Sequence, residues 1–338
     1  MNYDSNFQRA SHNDFSNKTD GTRPWRTGRW AIILAGGSGT RLRALTRVIT
    51  GDERPKQFCS ILGSETLLDQ TRSRAALAVR PTQTLFVLTK THERFFSSLL
   101  TGVPAEQLVV QPSNAGTAPA ILYSLLRLSR LHPASSVAIL PSDHYVSDDA
   151  AFMSHVKSAF DLVHSADDLV ILLGIKPQRP ETEYGWIEPV SPSVIDTPHS
   201  VYWVRRFWEK PEPKIARSLM KEGGLWNSFV MVGRVSAFLK MIQHAVPELF
   251  SRFLRIEPRL NTDQEKDAVR ELYSQLPEVC FSQHVLAART GMLGVLRVTD
   301  VGWSDLGLPQ RVFSARANMV STVKPPGPGG QSLIRSKL

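Results

Sequence analysis

Residues 30–35, Trp-Ala-Ile-Ile-Leu-Ala, pass without a break into Gly36-Gly37-Ser38-Gly39. An apolar run of that length reads as a buried strand, and three glycines in four positions let the chain turn tightly at its end. In open α/β sheets, ligands bind just beyond the carboxyl ends of strands. The junction therefore constrains the fold and marks a candidate site together.

The same rhythm continues downstream. Residues 85–89, 137–140 and 169–173 are short apolar runs bounded by turn residues, and they read as further buried strands. Between them, residues 67–79, 118–131 and 149–164 repeat apolar side chains at three- and four-residue spacing, the pattern of helices with one buried face. Strand alternating with helix predicts an α/β protein with a Rossmann-like mixed, mostly parallel sheet flanked by helices. After about residue 184 the pattern changes to extended segments at 184–188 and 201–207, then helical ones at 213–221 and 235–246. This half is expected to build a second substrate's pocket within the same domain, since neither an internal repeat nor a long linker interrupts it.

The ends differ in character. The first 28 residues are polar with little apolar periodicity, and residues 325–330 read Pro-Pro-Gly-Pro-Gly-Gly. We expect a disordered tail over 1–28, a catalytic domain over 29–316 and a flexible tail over 317–338. The tails also explain a net charge of +9, which by itself invites a nucleic-acid reading; residues 30–315 carry only +3 of it. No run approaches the ~18 apolar residues of a membrane span, and the N-terminus lacks the apolar stretch of a secretory signal. A cytoplasmic protein is expected. Cys59 and Cys280 have no metal-site or disulfide spacing and read as ordinary, largely buried thiols.

Within the junction, Ala35, Gly36, Gly37, Ser38, Gly39 and Thr40 can bring several backbone N–H groups to phosphate oxygens, and Arg41 adds a forked cation. The Lys-Ser/Thr ending of a P-loop is missing, and Leu42 stands where a dinucleotide fingerprint needs its third glycine. Alone, the segment reads equally well as a bare turn.

Arg54-Pro55-Lys56-Gln57-Phe58 follows, and Gly-Gly-Ser-Gly-Thr-Arg-Leu with a later Pro-Lys-Gln-Phe resembles the sugar-phosphate nucleotidyltransferases. Within that family the chain looks like the mannose-1-phosphate guanylyltransferases, with motifs in order over residues 30–315. The resemblance implies the nucleotide-diphospho-sugar transferase fold. It also implies GTP and a sugar 1-phosphate as partners and Mg²⁺ as cofactor, and is compatible with a homodimer. No membrane or nucleic-acid partner is implied.

Residue roles follow motif by motif. Arg41 and Lys56 would stabilise charge on the reacting phosphates. Gln111-Pro112-Ser113-Asn114-Ala115-Gly116-Thr117-Ala118 resembles the loop that meets the base, giving Gly116, Thr117 and Ala118, although Thr117 also reads as a helix cap before Pro119. Pro141-Ser142-Asp143-His144 and Gly302-Trp303-Ser304-Asp305 resemble the two metal-bearing segments, giving Asp143 and Asp305; either aspartate alone would pass for a turn residue. Tyr184-Gly185, Trp208-Glu209-Lys210-Pro211 and Trp226-Asn227-Ser228 resemble the sugar side, giving Gly185, Glu209, Lys210 and Asn227.

Four positions depart from the family pattern: Ala44 for a proline, Ala115 for an arginine, Glu183 for a glycine and Phe229 for a glycine. Rival functions are transfer of another base or hexose, such as dTTP or UTP with glucose 1-phosphate, or a catalytically silent nucleotide-sugar sensor. Because the sequence closes soon after Asp305, no second enzyme domain with isomerase activity is expected.

Overall fold

Each buried run at the head of a glycine or turn segment forms a strand. The computed structural model describes residues 28–190 and 200–322. The strands are β1 (Arg29–Leu34), β2 (Thr84–Thr89), β3 (Leu108–Gln111), β4 (Ser136–Pro141), β5 (Val170–Ile175), β6 (Trp186–Pro189), β7 (Val201–Trp208), β8 (Leu225–Arg234) and β9 (Leu293–Val298). The helices are α1 (Arg43–Thr50), α2 (Leu67–Ala76), α3 (Glu93–Phe96), α4 (Thr117–Leu131), α5 (Asp149–His164), α6 (Pro213–Lys221), α7 (Val235–Ala245), α8 (Pro247–Ile256), α9 (Glu265–Tyr273) and α10 (Pro309–Thr322).

The nine strands form one sheet in the order β3-β2-β1-β4-β8-β5-β9-β7-β6. Pairings β1–β2, β1–β4, β2–β3 and β5–β9 are parallel, while β8 and β7 run against their neighbours. The sheet is therefore mixed, as the alternation predicted, with all strands but β7 and β8 pointing the same way and antiparallel pairings confined to those two strands. Period-two alternation divides its side chains between two cores: Trp30 and Ile32 face α4, α7 and α8, whereas Ala31 and Ile33 face α2 and α5.

Three strands lack a clear sequence signal. β3 is four residues long, β9 contains Gly294, and β8 carries the polar pair Asn227-Ser228 in a buried run. In β8 the polar groups are satisfied locally: Ser228 Oγ donates to Leu173 O at 2.6 Å, and Asn227 Oδ1 accepts from Phe229 N at 3.0 Å. Phe229 sits at φ 57°, in the left-handed region that favours glycine. This kink offsets the register against β5 and lets the start of β8 pair with β6 as well. α10 runs to Thr322, six residues past the boundary expected at 316. The tail assignments for 1–27 and 323–338 lie outside the described residues.

Candidate active site

Chain direction gathers the candidate residues. The glycine loop follows β1, Gly116 and Thr117 follow β3, Asp143 follows β4, Glu183 to Gly185 follow β5, and Asp305 follows β9. These are carboxyl ends of strands that point the same way, the usual position for ligands in an open α/β sheet. Asn227 joins them because β8 enters from that edge, and the Trp186–Trp208 pairing sets Glu209 and Lys210 beside Gly185.

Two adjoining cavities result. The larger, of about 320 Å³, is lined by Gly37, Arg41, Asp143, Gly185, Glu209, Lys210, Asn227 and Asp305 among others. The smaller, of about 190 Å³, is lined by Gly36, Gln111, Gly116, Thr117, Glu278 and Cys280 among others. They share Leu34, Gly37, Thr117 and Cys280.

The glycine loop is held by its carbonyls. Gln57 Nε2 donates to Ala35 O at 3.0 Å and Gly37 O at 2.7 Å, and Thr89 Oγ1 donates to Gly36 O at 3.0 Å. The N–H groups of Gly36, Gly37, Ser38 and Gly39 have no acceptor among the described residues. With carbonyls turned into the protein, such amides form a concavity suited to an anion. Gly39 at φ 60° turns the chain into the short 3₁₀ turn before α1, where a Cβ would lie 3.1 Å from Lys56 N.

The smaller cavity is stitched together by backbone. Val279 N donates to Ala115 O at 3.0 Å, Ala118 N donates to Val279 O at 3.0 Å, and Phe281 N donates to Thr117 Oγ1 at 2.8 Å. Gly116, at φ 90°, has no room for a Cβ, which would sit 2.5 Å from Val279 O. Thr117 thus anchors the 279–281 segment, while the cap position of α4 belongs to Gly116. The same stitching brings Glu278 and half-buried Cys280 to the cavity, so only Cys59 is a fully buried thiol. Ala118 is buried inside α4 and lines neither cavity.

At the opposite wall, Lys56 Nζ donates to Asp305 O at 2.6 Å and Leu306 O at 3.2 Å and lies 3.2 Å from Asp143 Oδ2. Those contacts occupy its three donors and tie Asp143 to the Asp305 segment. Arg41 is half exposed, and its Nη1 donates to Glu183 Oε2 at 3.4 Å across the cavity mouth.

Asp305 Oδ1 accepts from Gly307 N at 2.9 Å and Arg311 Nη1 at 2.5 Å. Burial alone would raise this carboxyl, but the fields of His144, Arg311 and Lys56, with the Gly307 N–H, hold it below the ordinary range. Burial pushes His144 itself down. The cavity wall desolvates Glu209 and raises its carboxyl against the pull of Lys210.

Asp143 and Asp305 are hard oxygen donors on one cavity. No cluster of three or more His, Cys, Asp or Glu suited to a metal occurs among the described residues. Two carboxylates nevertheless match an ion such as Mg²⁺ that completes its shell with water and substrate phosphate. Ala35, Ser38, Gly39, Thr40 and Lys56 support the wall without lining the cavities. Gln57, Tyr184, Trp303, Glu278 and Cys280 join the site without having been singled out from sequence, since only the fold brings them near. Gln57, Tyr184 and Trp303 stood inside motifs already in view, whereas Glu278 and Cys280 did not. Among the described residues, no helix is long and apolar enough to cross a membrane.

Comparison with known proteins agrees with this geometry. The sequence profile of the family described as Nucleotidyl transferase matches residues 30–322. The alginate biosynthesis protein AlgA of Pseudomonas fluorescens is 29% identical over 283 residues, covering 82% of this chain and 56% of the relative. A mannose-1-phosphate guanylyltransferase of Escherichia coli is 28% identical over 284 residues, covering 82% of this chain and 59% of the relative. This chain thus spans under two thirds of the length of these curated relatives. The crystal structure of mannose-1-phosphate geranyltransferase from Thermus thermophilus superposes with a TM-score of 0.71 at 27% identity, covering 85% of this chain and 79% of that one.

Proposed function

The chain belongs to the nucleotidyl transferase family, and from that premise we propose that it joins GTP to mannose 1-phosphate, forming GDP-mannose and releasing pyrophosphate. The carrying observation is that Asp143, Asp305, the glycine loop and the Glu209-Lys210-Asn227 set line adjoining cavities although they are scattered along the sequence. The names of relatives support the choice of mannose and guanylyl.

In the reaction, a phosphate oxygen of the sugar 1-phosphate attacks the α-phosphorus of GTP. A new P–O bond forms as the bond from the α-phosphorus to the bridging oxygen breaks, and pyrophosphate leaves with that electron pair. The attacking phosphate is already an anion, so alignment and charge stabilisation carry the rate. The N–H groups of Gly36 to Gly39 cradle phosphate oxygens, and Arg41 leaves Glu183 to neutralise developing charge. Lys56 holds Asp143 in place. Asp143 and Asp305 would hold Mg²⁺, which supplies Lewis-acid neutralisation of the phosphates. Gly185, Glu209, Lys210 and Asn227 bind the sugar phosphate: Asn227 Oδ1 is committed to Phe229 N, leaving its NH₂ to donate to a hydroxyl.

The base enters the smaller cavity at Gly116 and Thr117. Glu278, the one carboxylate among the described residues lining it, favours guanine. Guanine presents two adjacent donors on one edge, where uracil and thymine present one. The reaction belongs in the cytoplasm, where both substrates occur.

Pyrophosphate release across GTP, inosine triphosphate, UTP and dTTP, each with mannose or glucose 1-phosphate, tests this reading. GTP with mannose 1-phosphate should lead, and Glu278→Gln should erase the preference for GTP over inosine triphosphate, which lacks the exocyclic amine. Leading activity with dTTP or UTP and glucose 1-phosphate would overturn the assignment of base and sugar.

A further inference from the structure

Behind the cavity wall, α10 carries Arg311, whose side chain is 5% exposed. Its guanidinium reaches three partners. Nη1 donates to Asp305 Oδ1 at 2.5 Å, Nη2 lies 3.0 Å from Glu181 Oε2, and the group stacks over the Tyr184 ring, 4.3 Å from its centroid. A buried guanidinium is tolerated where carboxylates offset its desolvation, and here two do so.

Glu181 passes the constraint onward. Its Oε1 accepts from Thr182 N at 3.1 Å and Glu183 N at 3.2 Å, and its carbonyl accepts from Trp186 Nε1 at 2.6 Å. That segment carries Glu183, Tyr184 and Gly185, all of which line the larger cavity. Arg311 lines neither cavity, yet it touches both the Asp305 wall and the root of the sugar-side wall.

We propose that Arg311 is a positioning residue: it fixes the spacing between the Asp305 carboxylate and the 181–185 segment. It engages Asp305 through Oδ1 alone, together with Gly307 N, which leaves Oδ2 to a cation or substrate. Lysine cannot substitute, because a point charge on a flexible stem does not bridge two carboxylates and stack on a ring at once. The catalytic consequence rests on the proposed reaction, whereas the mechanical joint does not.

The test compares Arg311→Met, Arg311→Lys and Glu181→Gln by amide hydrogen exchange and by steady-state kinetics on the full chain. In every variant that folds, the Thr182 and Glu183 amides should exchange at least ~10-fold faster while β1 and α4 keep their protection. In turnover, kcat should fall and the KM for mannose 1-phosphate should rise more than that for GTP, with Arg311→Lys recovering neither. Arg311→Met combined with Glu181→Gln should do no more than the stronger single change. Unchanged exchange at 182–183 in the folded variants, or strictly additive kinetic effects, would overturn the joint. A wild-type protein that transfers nothing would sink the proposed function and leave the exchange measurement to decide the joint.

Discussion

Asp143 faces Lys56 at 3.2 Å and shares a cavity with Asp305. Asp143→Asn should cut turnover by at least ~10²-fold while leaving a cooperative melt, as expected for a group acting on the charge of the transition state. Near-normal metal-dependent turnover would remove it from the site. The thiols should separate under an alkylating reagent. Burial pushes Cys59 up to about 12, so it should stay unmodified in the native protein, whereas Cys280 should react and be protected by GTP. Equal labelling of both would contradict the cavity assignment.

Glu181 sets an acid limit. Burial raises its carboxyl, but the Glu183 N–H, Arg311 and Arg179 bring it below the ordinary value of 4.5. A depressed folded-state value means the stabilisation is present above pH 4.5 and is lost as pH falls through the lower folded value. Melting temperature should therefore fall more steeply below pH 4.5 in the wild type than in Glu181→Gln. Parallel melting curves for the two proteins would contradict the account.

Among the elements, the start of α4 depends on a single atom's absence. A Cβ at Gly116 would meet Val279 O at 2.5 Å with the backbone at φ 90°, so two penalties coincide. Gly116→Ala should cost about 2 to 4 kcal/mol in denaturant unfolding. It should also raise the KM for GTP, because separating α4 from the 279–281 segment disturbs the base end. A loss below about 1 kcal/mol would mean that the segment yields freely.

Other elements separate what the chain discloses from what it conceals. β1 and its loop are legible because strand, glycines and Arg41 are contiguous, and α5 occupies the residues its apolar spacing predicts. β8 was hidden because Asn227 and Ser228 interrupt its apolar run and are satisfied by Phe229 N and Leu173 O, which only the folded sheet supplies. Phe229 was visible as a departure from a family glycine, but its φ of 57° required the kink to be seen. Glu183 was visible in the same way, and its partner Arg41 stands far from it in the chain. Arg311 left no trace, since its meaning lies in partners 6 and 130 residues away.

At the scale of the molecule, the carboxyl ends of the strands collect the glycine loop, two carboxylates and the 181–185 segment, with Lys56 and Arg311 tying these parts together. Such an arrangement suits transfer of a nucleotidyl group between two phosphates held in line. The most direct test follows the label from GTP carrying radioactive phosphorus at either the α or the γ position, in the presence of mannose 1-phosphate and Mg²⁺. The α label should enter the nucleotide sugar and the γ label should leave in pyrophosphate; γ label on the sugar, or no α label in any sugar product, would contradict nucleotidyl transfer.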